Sequence, residues 1–170
     1  MKKLLLATIS IVLAAVAVWV IYSREDAPAE APYVLPALTQ EYKNDTYQFS
    51  LNMPGNFIVR EVEQDGGVSI VLEDAGGNGI QLTIVPFDED IRVLTKERIE
   101  QDVPDLAIRD LETLEVGDDY KGLAFKSDND AFDGDSREVW FIFRGNFYQI
   151  STYARLDPLL KAVFATWKFF

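Results

Sequence analysis

The sequence predicts an α+β domain, built mainly on an antiparallel sheet with one helix in mid-chain and one at the C-terminus. Three observations carry this expectation. Apolar and polar residues alternate at period two through much of residues 41–153, turn residues interrupt the alternation at hairpin spacing, and two stretches carry helix start signals. The chain has 170 residues, 48% apolar and 12% aromatic, enough for one domain with a real core and too few for two ordinary ones.

The first element is apolar and uncharged. Residues 4–22, LLLATISIVLAAVAVWVIY, are long enough to span a hydrocarbon core. Lys2 and Lys3 precede the run while Glu25 and Asp26 follow it, which puts residues 1–3 in the cytoplasm and the remainder outside. The expectation is a single-pass transmembrane anchor in the cell membrane carrying an extracytoplasmic domain. The alternative is a signal peptide cleaved after the small-x-small triplet Ala15-Val16-Ala17, giving a secreted domain. The continuation of the apolar run as VWVIY favours the uncleaved anchor. A lipidated cysteine is excluded, because the chain has no cysteine. Residues 23–40 contain Pro28, Pro32 and Pro36 and read as an extended Pro/Ala-rich stalk, which leaves residues 41–170 as the globular domain.

Within the domain, residues 47–53 (YQFSLNM) alternate Phe49, Leu51 and Met53 on one face before Pro-Gly-Asn stops them. Residues 57–62 and 68–72 flank Gly66-Gly67, and Leu72 and Ile80 flank EDAGGNG, so two hairpins follow. Residues 80–87 repeat the alternation. Thr95 fits the N-cap of a helix KERIEQDV, which must stop near Val103 because Pro104 disfavours helical backbone before it. Strands resume over 107–116, 120–126, 137–144 and 146–153, with Arg144-Gly145-Asn146 as the turn of the last hairpin. VWFIF, at 139–143, is apolar on both faces, as expected of a central strand covered on both sides. A final helix is expected with Asp157 as N-cap, Pro158 as its first residue and Leu159, Leu160, Val163, Phe164 and Trp167 as its apolar stripe. The tail WKFF then closes against the sheet.

Composition removes much familiar chemistry. With neither histidine nor cysteine, imidazole bases, thiol nucleophiles, zinc-thiolate sites and disulfides are all excluded. The formal net charge is -12 and no acid precedes residue 25, so the exported part repels nucleic acid and anionic lipid, and nucleic acid is not an expected partner.

Three phrases then carry a resemblance: YKNDTYQFSLNMPGNF at the start of the domain, REVWFIFRGNFYQISTY near its end, and the closing ATWKFF. Together with the order of elements they resemble the PsbP-like family, whose fold is that of the extrinsic P-subunit of photosystem II and of the Mog-type Ran-binding proteins. The resemblance covers about residues 41–170. It implies an α/β/α sandwich around an antiparallel sheet, usually non-enzymatic, often tethered at a membrane and working by contact with larger assemblies. Small membrane-anchored bacterial members of unknown function are the nearest in pattern. No functional residue carries over, because the histidines linked with metal in the plant photosystem subunit have no counterpart here.

One stretch hints at specific chemistry. SDNDAFDGD, residues 127–135, offers Asp128, Asp130, Asp133 and Asp135 as oxygen ligands for calcium. An EF-hand register fails, since counting from Asp128 puts Phe132 fifth and Gly134 seventh with no glutamate twelfth, so only an irregular site is open. The competing reading is a solvated turn at Asp133-Gly134. AGGNGI at 75–80 lacks the lysine and following helix of a phosphate cradle and reads as a hairpin turn. The serines have no histidine to activate them and no Ser-x-x-Lys motif. Trp140, Phe141, Phe143, Phe147, Tyr148 and Tyr153 could form a stacking platform, but at period two beside a central hairpin they read as core, with Tyr148 or Tyr153 the ones to remain exposed.

The functional expectation is therefore a membrane-anchored, extracytoplasmic, non-catalytic binding or assembly module for an envelope or membrane protein, with no catalytic residues and no cofactor. The alternative is a calcium-dependent binding or adhesion module using residues 127–135. A carboxylate-only hydrolase is the least favoured reading.

Overall fold

The computed structural model describes residues 33–64, 66–117 and 120–170. The expected cytoplasmic N-terminus, the anchor at 4–22 and most of the stalk lie outside these residues. Among the described residues no helix is long and apolar enough to cross a membrane.

The chain runs β1 (Leu38–Asn44), β2 (Phe49–Pro54), β3 (Ile58–Gln64), β4 (Gly67–Glu73), β5 (Gly79–Pro86), α1 (Lys96–Asp102), β6 (Arg109–Val116), β7 (Tyr120–Ser127), β8 (Ser136–Phe143), β9 (Asn146–Tyr153), α2 (Asp157–Phe164) and β10 (Lys168–Phe169). Seven strands form the main sheet in the order β3-β4-β5-β9-β8-β7-β6, and β1-β2-β10 form a smaller one. Every pairing in both sheets is antiparallel.

The expected hairpins form for the reasons read from their turns. Arg144 and Gly145 both take positive φ, 45° and 72°, which is the two-residue type I′ connection between β8 and β9. The side chain of Thr95 accepts the Arg98 amide at 3.2 Å, and α1 stops at Asp102 just before Val103-Pro104.

Two cores occupy the two faces of the main sheet. One is built from Ile70, Leu82, Phe141 and Tyr148 of the sheet, Phe49 and Leu51 of the small sheet, and Leu159, Leu160 and Val163 of α2. The other joins Leu123, Phe125, Trp140, Ile142 and Phe147 to Leu94 and Ile99 beside and on α1. Helices thus lie on both sides of the sheet, α1 on one face and α2 with the small sheet on the other. Strand β8 is buried at every residue, as its two-faced apolar pattern requires.

Several expectations need correction. The sheet is divided, and the domain reaches back into the expected stalk: β1 starts at Leu38 and pairs with β2 through Asn44. The positive φ of Gln48, 55°, breaks the chain there, so β2 starts at Phe49 rather than residue 47. Asp157 does not cap α2. It is the first helical residue, Leu156 holds the cap position without a side-chain bond, and the Asp157 carboxylate faces cationic partners instead. Within the tail, Lys168 and Phe169 add β10 to the edge of β2.

Candidate functional site

The acidic stretch folds as a tight turn. Asn129 caps a 3-10 turn over Asp130–Phe132 by accepting the Ala131 amide, and its carbonyl accepts the amides of Phe132 and Gly134 at 2.8 and 3.0 Å. Asp133 and Gly134 both take left-handed backbone, with φ of 60° and 79°, so they form the expected bend. Phe132 anchors the turn by packing edge-on against Tyr153, with ring centroids 5.3 Å apart.

The four aspartates are not gathered around one point. Arg109 on β6 reaches Asp128 at 2.5 Å and Asp135 at 2.9 Å, placing a guanidinium between the two ends of the turn. The Asp128 hydrogen bond, above all, raises the Arg109 pKa. Asp130 and Asp133 are exposed on the turn itself. Among the described residues, no three carboxylates come together in a way that could hold a metal ion.

The charges that stand out lie on β8. Arg137 and Glu138 are consecutive, both are buried, and the alternation of the strand sends them to opposite faces of the main sheet. On the α2 face, Arg137 places Nε 3.0 Å from Asp157 Oδ1 and pairs through Nη2 with Glu112 of β6. Asp157 also meets Lys161 one turn along α2, at 2.8 Å. Arg137 therefore ties the edge strand β6 to the start of α2 across the sheet. It lies in the lining of a groove of about 270 Å³ between those two elements, alongside Ala124, Val139, Leu160 and Phe164.

On the other face, Glu138 is enclosed by donors. Its Oε1 accepts the Ser136 hydroxyl at 2.6 Å and faces the Asn129 amide at 3.5 Å, while Oε2 accepts Trp140 Nε1 at 3.3 Å and the Ser151 hydroxyl at 2.5 Å. Burial raises its pKa despite those four hydrogen bonds, which act in the opposite sense. The network joins β8, β9 and the base of the acidic turn.

The aromatic residues are core, as expected, with one correction. Tyr148 is fully buried and stacks on Phe141 at a centroid separation of 4.6 Å, so it is not an exposed platform residue; Tyr153 is partly exposed. Sequence reasoning missed Arg137, Glu138, Glu112 and the partnership of Asp157. The available signal was two adjacent charges immediately before residues 139–143, a run apolar on both faces.

No family model matches the chain, and no curated protein matches it. Among solved structures, the solution structure of cyanobacterial PsbP (CyanoP) from Synechocystis sp. PCC 6803 is similar, with a TM-score of 0.51 over 85% of this chain and 100% of that one, at 13% identity. The fold is PsbP-like. At that identity the likeness carries the PsbP-like architecture and no residue roles, so the groove at Arg137 and the network at Glu138 stand on their own geometry.

Proposed function

We propose that this chain is a non-catalytic binding or assembly module, held at the cell membrane by residues 4–22, whose PsbP-like domain engages an envelope or membrane protein on the extracytoplasmic side. The observation that carries the reading is the groove between β6 and α2, with the salt-bridged Arg137 in its lining. A buried guanidinium between two carboxylates fixes the spacing of the two walls without leaving a reactive group exposed in the groove. The raised-pKa carboxylate of Glu138 is on the opposite face and is surrounded by donors, an arrangement that suits structure better than proton transfer to a ligand. The lack of histidine and cysteine points the same way.

The anchored topology is tested by alkaline carbonate extraction and protease accessibility of the full chain in cells. Retention in the membrane, loss of retention when residues 4–22 are replaced, and cleavage of the domain by external protease are expected. Extraction by carbonate, or protection of the domain in spheroplasts, would overturn the topology.

A further inference from the structure

The main sheet ends at β6, whose outer edge has no strand partner among the described residues. In an antiparallel strand alternate N–H and C=O groups point outward, and an edge of this kind pairs with another chain unless something blocks it. The start of β6 is blocked: Asp110 has φ of 49° and the pairing with β7 shifts between Arg109 and Glu112. Residues 112–116 pair regularly with β7 and form the usable edge.

That edge borders the groove. Glu112, Thr113, Leu114 and Glu115 are consecutive and all line it, so the backbone of the strand as well as one of its faces contributes to the wall. Across from them, the partly exposed Phe164 of α2 offers apolar contact. Glu112 and Glu115 are exposed on the strand, and the chain as a whole carries 28 acids against 16 bases.

We propose that an extended cationic segment of a partner protein, alternating lysine or arginine with apolar residues, adds to β6 as a further strand and sets every second side chain into the groove. Strand addition supplies main-chain affinity while the groove selects the apolar side chains on the α2 face. Glu112 on that face is held by Arg137, and on the opposite face of β6 the exposed Glu115 supplies the sign of charge for the cationic ones. A second copy of this chain fits poorly, because pairing edge to edge would bring the same carboxylates together. The β3 edge is a weaker candidate: Arg60 and Glu61 there are engaged with Glu73 and Tyr42. The proposal rests on the binding-module reading and names the partner chemistry of its groove.

The test is hydrogen exchange of the full chain in neutral detergent, with a short synthetic peptide alternating lysine and valine as the probe. A second peptide of the same sequence, N-methylated at every residue, keeps the side chains and removes strand pairing. Slower exchange over residues 112–116 with the first peptide and not the second is expected, with binding weakened by high salt. Glu115→Lys, a change at an exposed position, should weaken binding by about fivefold or more through like-charge contact. No binding, equal protection by both peptides, or unchanged affinity in Glu115→Lys overturns the proposal. Concentration-dependent protection of β6 without peptide also overturns it, in favour of a second copy. If these results fail while an envelope protein is cross-linked to another surface, strand addition falls and the binding-module reading stands.

Discussion

Arg137 and Glu138 are neighbours on β8, and both are buried, one on each face of the seven-stranded sheet. Each is held by partners from other elements: Arg137 by Glu112 and Asp157, Glu138 by Ser136, Ser151, Trp140 and Asn129. A central strand thus carries a basic and an acidic side chain into two separate cores, and each depends on correct register with the strands beside it. Their energetic consequences differ, because one is an ion pair that reaches the surface and the other is a carboxylate among neutral donors.

Replacing Glu138 by alanine leaves the buried Trp140 indole N–H without its acceptor, removes the acceptor of the Ser151 hydroxyl, and leaves Ser136 only the longer bond to the Ser127 carbonyl at 3.4 Å. A loss of roughly 2–4 kcal/mol in unfolding free energy is expected, measured by denaturant titration, and Glu138→Gln should lose much less.

The pH dependence of that pair of proteins has a definite sign. Burial raises the folded pKa of Glu138 above its unfolded value, so the folded chain binds the extra proton between the two. The group costs nothing below the ordinary glutamate pKa and destabilises increasingly as pH rises through the folded value. Glu138→Gln should therefore gain stability relative to the native protein as pH rises from about 4 towards neutrality. A difference that stays flat across that range contradicts the buried-carboxylate account.

Arg137→Ala and Glu112→Gln remove opposite ends of one ion pair, yet they should not cost the same. The Arg137 side chain is 5% exposed and that of Glu112 is 51% exposed. Losing the arginine removes buried packing and leaves Asp157 without its buried partner, at about 2–4 kcal/mol. Losing the glutamate charge, which water can replace, should cost less than about 1 kcal/mol. Equal losses in urea unfolding would show that the pair is not organised in this way.

The small sheet depends on the tail. Phe169 stacks on Phe143 at 3.6 Å between centroids and pairs with Phe49 across β2 and β10. Phe169→Ala should cost about 1–3 kcal/mol, the lower end reflecting a ring that is only partly buried. Its effect on hydrogen exchange should be largest in β2.

With Arg109 already between Asp128 and Asp135, the acidic turn needs no cation to hold its ends together. Millimolar calcium, compared with EGTA, should shift the thermal midpoint of the full chain by less than about 1 °C. A larger shift that disappears in the Asp130→Asn, Asp133→Asn double variant would establish calcium ligation.

Much of the fold was legible because its signals are local. Ile80, Leu82 and Ile84 alternate as a strand must, Arg144-Gly145 declares its hairpin, Thr95 and Pro104 bracket α1, and VWFIF announces a strand covered on both faces. Strand β1 was not legible, since in LTQEYKN only Tyr42 and Asn44 are buried and no apolar alternation marks it. The two residues of β10 are too few to show a period. Asp157 has the right residue type for a cap, and only tertiary structure reveals that Arg137 claims its carboxylate. The candidate site was hidden for the same reason. Glu112 is 25 residues from Arg137 and Ser151 is 13 from Glu138, so their meeting depends on strand order and register rather than on any motif.

The most direct test of the central claim, that this domain acts by binding, is photo-cross-linking of the full chain at its native level in intact cells. A photoreactive residue replaces Thr113 on the β6 edge, and a control replaces Glu97 on α1; both positions are exposed. One adduct of defined mass is expected from position 113, formed with an envelope or membrane protein and absent from position 97. No adduct at either position, or at further exposed positions spread over the domain, would contradict a binding role.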